Sequence, residues 1–188
     1  MGKEIFRYHE KQKVFPVLVG EKVTLKPVHG EAKLEKMFYE MYTEWLTHED
    51  IVRGVGEEDT AIEEIVRMHS EWKENPGNLT LAIYDNETGK PVGDVNLFDT
   101  DEFEEGPEIA IMIGERGKGF GTESMELMLN YAFNTIGVSK VNLTVFKDNP
   151  AEKLFRKLGF ETTGEKVDED TGREEYEMSF KKEGWKKK

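Results

Sequence analysis

The sequence contains no cysteine. This absence excludes disulfide scaffolds, thiolate zinc sites, cysteine nucleophiles and thiol redox chemistry, and it gives no reason to place the chain in an oxidising compartment. Long apolar segments are missing as well, because no run approaches the roughly 20 residues that a membrane-spanning helix needs. Residues 1–6 lack the apolar core of a signal peptide. Together these absences predict a cytoplasmic protein that does not bind membranes.

Positive charge is also scarce, since 26 Lys and Arg residues stand against 39 Asp and Glu residues, for a formal net charge of −13. Nucleic acids and anionic membranes bind through clustered Lys and Arg, so we expect neither as a partner. An acidic surface is compatible with a cationic substrate, although a solvent-exposed acidic surface needs no ligand to explain it. The four His residues are scattered without the spacing of metal ligands, and the sequence therefore predicts no metal site.

The residues that are present are typical of one globular domain. A chain of 188 residues corresponds to about one domain, and 37% hydrophobic with 11% aromatic residues is too apolar for a disordered chain. We divide the chain into an N-terminal arm over 1–20 that carries one edge strand, a folded domain over 21–180, and a basic C-terminal tail over 181–188. We expect that tail to be frayed.

Hydrophobic periodicity predicts the elements of the folded domain. Their order is one strand, two helices, three strands, one helix, one strand, one helix and two strands, which indicates a single mixed α/β domain. Thr60 and Glu63 form a capping-box pattern ahead of the second helix. Five consecutive apolar residues over 109–113 predict a central strand that is buried on both faces. The predicted strands cover 23–28, 79–84, 92–98, 108–113, 141–146, 160–167 and 174–180, and the helices cover 34–42, 60–72, 125–136 and 150–158, with a loop or short helix over 45–58.

A glycine-rich segment, residues 114–122, lies between that apolar strand and the clearest amphipathic helix. Glycines at every second position over 117–121 leave backbone N–H groups unshielded, so an anion can approach them closely. The helix that follows adds the positive end of its dipole, and Arg116 and Lys118 add formal positive charge. The segment therefore predicts a phosphate or pyrophosphate site. It matches neither the Walker loop, because Gly119 follows Lys118, nor the dinucleotide fingerprint.

Two patterns in this part of the chain are characteristic of one family. Arg116, Gly119 and Gly121 form R-x-x-G-x-G, and residues 148–160 contain an Asn, an Ala-bearing helix and a closing Leu-Gly-Phe. With both patterns on matching elements, the chain resembles the GNAT superfamily of acetyl-CoA-dependent N-acetyltransferases over about 22–180. It is most similar to the branch that acetylates protein N-termini and polyamines. The resemblance implies a single-domain α/β fold whose central mixed sheet has splayed parallel strands and flanking helices.

The resemblance also implies that acetyl-CoA is the cosubstrate, and it assigns residues to that molecule. The backbone of Ile111, Met112 and Ile113 is expected to pair with the pantetheine arm like an added strand. Asn149 is expected to contact the pantetheine or acetyl end, with Phe155 beside it on the following helix. The pyrophosphate is assigned to the backbone of Arg116, Gly117, Lys118, Gly119, Phe120, Gly121 and Thr122.

Two departures from the family pattern affect this assignment. In the family, the Asn usually lies one residue further from a helical Tyr than Asn149 lies from Phe155. Either the turn is shorter here or Asp148 occupies the Asn position. The helical Tyr often protonates the departing thiolate, and the phenyl ring of Phe155 cannot donate a proton.

Glu108 is the candidate general base. An amine attacks a thioester only as the free base, so a proton must leave the amine before or during the attack. Glu108 opens the strand whose later residues are expected to hold pantetheine, which would bring a carboxylate close to the acetyl group. The other interpretation is an exposed glutamate at the start of a strand.

Three further features are candidates for the surroundings of the acceptor. The acidic loop over 99–105 is either a solvated loop or a lip that attracts an ammonium group. Residues 48–50 lie in the loop that borders the acceptor site in the resembled family. Trp45, Trp72 and Phe98 are interpreted as core residues rather than as substrate contacts.

These expectations define a predicted function. The chain is predicted to move an acetyl group from acetyl-CoA to a primary amine, such as a protein N-terminus or a polyamine, by direct attack in a ternary complex. The acceptor is expected to be a cationic peptide or small molecule, and the resemblance favours a homodimer. The alternative is a non-catalytic acyl-CoA-binding regulatory domain, which the missing hydroxyl at Phe155 keeps open.

Overall fold

The computed structural model describes residues 3–5, 15–55, 61–101 and 104–185. Within these ranges the chain forms nine strands and five α-helices. The strands are β1 (Lys3–Ile5), β2 (Val17–Val19), β3 (Val23–Pro27), β4 (Leu79–Asp85), β5 (Pro91–Phe98), β6 (Glu108–Ile113), β7 (Lys140–Phe146), β8 (Glu161–Val167) and β9 (Glu174–Lys181). The helices are α1 (Ala32–Trp45), α2 (Glu49–Val55), α3 (Ile62–Glu74), α4 (Phe120–Tyr131) and α5 (Glu152–Leu158).

All the described strands belong to one sheet in the order β1-β2-β3-β4-β5-β6-β7-β9-β8. Neighbouring strands are antiparallel except β6 and β7, which are parallel. Both of these strands are described throughout, and they pair only at Glu108 and Asn142 before they separate. The predicted mixed sheet with splayed parallel strands is therefore confirmed.

Hydrogen bonds of Asn142 hold the point where β6 and β7 meet. Its Nδ2 donates to the backbone oxygens of Glu105 and Gly106 at 2.7 and 3.1 Å, and its Oδ1 accepts a hydrogen bond from Oγ of Ser179 on β9. Gly106 has a φ of +76°, and a Cβ atom there would lie 2.6 Å from the carbonyl oxygen of Lys140. Because only glycine tolerates both conditions, the loop before β6 can approach β7 closely at this point.

Two hydrophobic cores lie on opposite faces of the sheet. The first lies under α4 and α5 and includes Met125 and Phe155. The second lies under α1 and α3 and includes Phe38, Trp45 and Ile65. Each core covers one face of the central strands, and within the described structure the sheet between them opens where β6 and β7 separate.

The helix boundaries follow the sequence signals in part. The helix predicted over 125–136 is present, but α4 ends at Tyr131 and a π-helical turn covers Ala132–Ile136. Gly137, with a φ of +90°, then ends it as predicted. α3 begins after Ala61 without a side-chain cap, and Thr60 of the predicted capping box lies outside the described residues. Among the helices of the described ranges, none has the length and apolar character that crossing a bilayer requires.

The prediction that the strand over 109–113 is buried on both faces is wrong. Ile109 and Met112 are buried, whereas Ala110 is exposed and Ile111 and Ile113 are half-buried. Because β7 separates from β6 after Glu108, no strand covers the outer edge of β6 and its side chains stay accessible. The apolar composition of the strand therefore reflects a cavity wall as well as a core.

The prediction of a frayed tail from residue 181 is also wrong for the described part of that segment. β9 extends to Lys181, a 3₁₀ turn covers Lys182–Gly184, and the backbone N–H of Lys182 donates to the carbonyl oxygen of Ser139 at 2.8 Å. Trp185 packs edge-on against Phe180, with ring centroids 6.0 Å apart. An aromatic anchor thus holds the end of the chain, and residues 186–188 lie outside the described ranges.

We expect Trp185→Ala to lower the free energy of unfolding by about 2 kcal/mol, since Trp185 is half-buried and full truncation of a core aromatic costs about 3–5 kcal/mol. Lys182→Ala serves as the control in the same turn, because that side chain is exposed and its loss is expected to cost less than about 0.5 kcal/mol. Urea denaturation monitored by circular dichroism measures both values. Equal stability of the two variants would contradict the anchoring role.

Candidate active site

Two adjoining cavities open among the described residues where β6 and β7 separate. The first, of about 440 Å³, is here called the glycine groove because Gly117, Gly119 and Gly121 line it. The second, of about 350 Å³, is here called the acidic cavity because its lining includes the carboxylates of Asp94, Glu108, Asp168, Asp170 and Glu175. The two cavities share the residues Gly54, Ile111, Met112, Asn149 and Ala151.

The glycine groove is built at the start of α4. Gly117 and Gly119 have φ angles of +82° and +83°, and Gly119 is the N-cap of the helix. The first N–H groups of a helix have no partner inside the helix, so they point from the N-terminus toward any anion in the groove. A Cβ atom on Gly121 would lie 3.4 Å from Cγ1 of Ile113 and 3.6 Å from Cδ2 of Leu154. A side chain at position 121 would therefore contact both of these residues, and glycine keeps this part of the groove open for a phosphate-bearing ligand.

Both cations of the glycine-rich segment have carboxylate partners. Nη1 of Arg116 lies 2.8 Å from Oδ2 of Asp50, and Nη2 donates to the backbone oxygen of the same residue at 3.1 Å. Nζ of Lys118 lies 2.6 Å from Oε2 of Glu115, and this contact raises the pKa of Lys118. Arg116 lines the groove, whereas Lys118 lies outside its lining. A phosphate that bound Arg116 would compete with Asp50 for the guanidinium or use its remaining N–H groups.

The helix α2 lies across both cavities and is tied to the turn after β7. Nδ2 of Asn149 donates to the carbonyl oxygen of Gly54 at 3.1 Å. Asp148 accepts hydrogen bonds from Arg53 and Arg173, each at 2.6 Å, and these two contacts lower the pKa of Asp148. Nη1 of Arg173 also donates to the carbonyl oxygen of Arg53 at 2.7 Å. Asn149 therefore faces the cavities, while Asp148 belongs to an ion-pair cluster beside them.

Glu108 lies in the lining of the acidic cavity, at the start of β6. Glu108 is an exposed residue at the start of its strand, as the alternative interpretation expected. The atoms packed around its carboxyl group nevertheless desolvate it enough to raise the pKa of Glu108. Lys166 opposes this shift, whereas the charges of Asp99, Glu175 and Glu177 reinforce it. A raised pKa makes a glutamate a stronger base, which suits the acceptance of a proton from an amine. Despite the many carboxylates, the described residues contain no group of three or more side chains placed to hold a metal ion.

Aromatic side chains form the walls of the acidic cavity. Tyr42 and Trp72 line it, and Trp72 packs edge-on against Phe98 with ring centroids 4.8 Å apart. Trp45 is buried in the core as predicted, but the interpretation of Trp72 as a core residue is wrong, because one of its surfaces forms the cavity wall. Phe155 lines the same cavity from α5.

The family of this protein follows from comparison with known proteins. Residues 22–161 match the acetyltransferase (GNAT) domain. The chain belongs to the GNAT family of N-acetyltransferases. The alpha/beta-tubulin-N-acetyltransferase 9 of Homo sapiens is 34% identical over 160 residues, which cover 77% of this chain and 75% of that protein. The protein of the same name from Drosophila melanogaster is 33% identical over 163 residues, or 78% of each chain.

Solved structures of GNAT proteins share the fold. The spermidine N-acetyltransferase of Vibrio cholerae, in complex with CoA and spermine, superimposes with a TM-score of 0.72 and covers 86% of this chain and 96% of its own. Its sequence is 20% identical, so this likeness concerns the fold alone. A GNAT acetyltransferase from Bacillus anthracis gives a TM-score of 0.73 at 17% identity, with coverage of 89% of this chain and 99% of its own.

Most of the residues that the sequence assigned to this GNAT site lie around the two cavities. Ile111, Met112 and Asn149 line both of them, while Glu108 and Phe155 line the acidic cavity. The described residues of the acidic loop over 99–105, and residues 48–50, lie outside both linings. The remaining predicted residues in these linings contact the glycine groove but not the acidic cavity: Ile113, Arg116, Gly117, Gly119, Phe120, Gly121 and Thr122.

Several residues of the acidic cavity were not expected from the sequence, among them Asp94, Asn96 and Glu175. Asp94 and Asn96 interrupt an apolar strand, and this interruption was the available signal. Glu175 is 8% exposed, and burial raises its pKa, although Nζ of Lys166 lies 3.7 Å from its carboxylate. Its strand alternates charged and apolar residues in the usual way, so the sequence did not distinguish it.

The ion-pair cluster predicts a local change when its central carboxylate is removed. Asp148→Asn weakens the contacts to Arg53 and Arg173, so we expect hydrogen exchange of the α2 amides to become several-fold faster, while the α4 amides keep their rates. The control is Glu169→Gln, which removes an exposed carboxylate from a neighbouring turn. Exchange measured by mass spectrometry distinguishes the variants. Identical α2 rates in all three proteins would show that the cluster does not hold α2.

Proposed function

We propose that this protein is an acetyl-CoA-dependent N-acetyltransferase that acetylates a primary amine by direct attack in a ternary complex. The observation that carries the proposal is the gap between β6 and β7, which joins the glycine groove to the acidic cavity. The groove suits an anionic cosubstrate and the cavity suits a cationic acceptor. The two would meet beside Ile111 and Met112, which line both spaces.

Acetyl-CoA fits the glycine groove in three ways. β6 pairs with β5 through one edge from Glu108 to Ile113, and its other edge can accept the pantetheine amides like an added strand. The amides at the start of α4 suit a pyrophosphate. Arg116 can add a charge-assisted hydrogen bond through N–H groups that Asp50 does not use, or by exchanging Asp50 for phosphate. Asn149 lies where the groove and the acidic cavity join, so it is proposed to contact the pantetheine or acetyl end.

The proposed chemistry uses Glu108 as the general base. The acceptor enters as an ammonium group and gives one proton to Glu108, directly or through water. The free amine then attacks the thioester carbon, a C–N bond forms and the C–S bond breaks. The second nitrogen proton is released as the amide forms, and the CoA thiolate takes up a proton from solvent. Phe155 supplies no acid, which is acceptable because a thiolate is a far better leaving group than an alkoxide or an amide ion.

The first candidate acceptor is the α-amino group of a protein N-terminus. Its support is the similarity, over three quarters of the chain, to proteins named tubulin N-acetyltransferase. That name indicates a protein acceptor, and the α-amino group is the candidate that we propose within it. A polyamine is the second candidate, because the carboxylates of the acidic cavity lie on several elements: Asp94 on β5, Glu108 on β6 and Glu175 on β9. Such a distribution can attract more than one ammonium group.

A thiol-release assay with acetyl-CoA tests the proposal. The panel contains peptides with free N-termini, the same peptides with blocked N-termini, spermidine and free lysine. We expect turnover with free amines, faster turnover with cationic acceptors, and weaker discrimination at high salt. Binding of CoA without turnover of any amine would instead support the non-catalytic acyl-CoA-binding alternative.

We expect Glu108→Gln to lower kcat by roughly ten-fold to a thousand-fold, as is usual for loss of a general base, with little change in acetyl-CoA binding. A base must be deprotonated, so wild-type kcat/KM should fall as the pH decreases through the pKa of Glu108, which lies above the usual range of a glutamate. This acidic limb should be absent from Glu108→Gln. The control, Glu104→Gln, removes an exposed carboxylate from the preceding loop. If Glu108→Gln keeps full kcat and an unshifted acidic limb in its pH–rate profile, Glu108 is not the general base.

A matched pair of glycine variants tests the phosphate site. Gly117 and Gly137 have φ angles of +82° and +90°, and a Cβ atom would meet nothing within 4 Å at either position. Alanine should therefore cost each site a similar strain of about 1–2 kcal/mol. Only Gly117→Ala should weaken CoA binding, by about ten-fold, because it removes a close backbone approach to the charged phosphate. Isothermal titration with CoA measures this difference. Equal CoA affinities of the Gly117→Ala and Gly137→Ala variants would exclude residues 114–122 as the phosphate site.

A further inference from the structure

Two polar side chains form the floor of the acidic cavity on β5. Asp94 and Asn96 are 3% and 4% exposed, and Nδ2 of Asn96 donates to Oδ2 of Asp94 at 2.7 Å. Because a carboxylate only accepts hydrogen bonds, this contact fixes the orientation of the Asn96 amide. Its Oδ1 is left as a buried acceptor for which the described residues supply no donor.

A buried acceptor without a donor costs about 1–3 kcal/mol, and folded proteins rarely keep one without reason. Asn96 lines the acidic cavity, but its Oδ1 has almost no accessible surface. A ligand in the cavity can therefore supply the missing N–H group only after the neighbouring groups that cover Oδ1 move aside. Every ionisable side chain in this lining other than Tyr42 is a carboxylate, since the lining includes no Lys, Arg or His among the described residues. The chemistry that satisfies both conditions is a primary ammonium group, which is cationic and carries several donors.

Strand register places this acceptor beside the proposed base. On neighbouring strands, Asn96 lies opposite Ala110, and Phe98 lies opposite Glu108. Asn96 and Glu108 are therefore diagonal neighbours on one face, about 7–8 Å apart in backbone position. The methyl group of Ala110 occupies little of the space between them. An amine nitrogen bound to Asn96 above Ala110 lies within reach of Glu108, directly or through one water molecule.

We propose that Asn96, held in place by Asp94, accepts a hydrogen bond from the primary ammonium group of the acceptor and positions its nitrogen beside Glu108. This inference rests on the proposed function and specifies how the acceptor is selected. Asn96 takes no proton in the reaction, because the proton passes to Glu108. The site discriminates against acceptors that lack an N–H group, since these would leave Oδ1 of Asn96 buried without a donor.

Two variants remove the acceptor oxygen in different ways. Asn96→Ala truncates the side chain, and Asn96→Leu replaces it with an apolar group of similar size. The Leu variant keeps the volume filled, so it is expected to fold even if the space left by alanine is not tolerated. The control is Thr80→Val on β4. Thr80 is 6% exposed, its Oγ1 likewise has no donor or acceptor among the described residues, and it lies opposite Asn96 but outside the cavity lining.

Steady-state kinetics with two probes provide the measurement, one a hexapeptide amide with a free N-terminal Met and the other spermidine. We expect both Asn96 variants to raise the KM of the amine about ten-fold or more, with the KM of acetyl-CoA unchanged and Thr80→Val equal to wild type. An effect limited to one probe identifies the source of the ammonium group. An unchanged amine KM in both variants would overturn the subsite while the proposed function stands. Wild-type protein that binds CoA but acetylates neither probe would overturn the proposed function itself.

Discussion

The single pairing of Glu108 with Asn142 is the constraint on which the rest of the site depends. The side chain of Asn142 ties the loop before β6 to the start of β7, and Gly106 allows the close approach. Strands that meet at one end and separate at the other form a wedge-shaped gap. That gap joins the acidic cavity to the glycine groove, so two substrates can approach each other within a sheet that is otherwise continuous.

Charge is distributed around this gap in a way that the overall composition conceals. The chain carries a net charge of −13, yet the glycine groove contains a helix N-terminus and Arg116, whereas the acidic cavity contains carboxylates. The glycine groove therefore favours an anionic ligand, and the acidic cavity favours a cationic ligand. Separation of the two fields by the strand β6 lets an anionic and a cationic substrate bind next to each other without competing for the same groups.

Local patterns, namely hydrophobic period, glycine spacing and helix ends, predicted most of the elements and the glycine-rich segment. The splayed strands and the remaining groove residues were instead implied by the resemblance to the GNAT superfamily. The sequence did not predict the floor of the acidic cavity. Whether Asn96 faces a core or a cavity depends on the register of β5 against β6 and on the helices that cover that face, and neither is a local property. The same holds for Trp185, whose partner Phe180 is recognisable only once β9 has been placed.

The helix α2 forms part of the wall of both cavities through Gly54, and it engages Asn149 and Arg116, two residues assigned to the cosubstrate. A ligand that takes over either residue releases a contact of α2 and so alters the wall that the other ligand meets. The two binding events are then linked through one shared element. Thermodynamic reciprocity requires that any factor by which the cosubstrate changes the affinity for the amine is also the factor by which the amine changes the affinity for the cosubstrate.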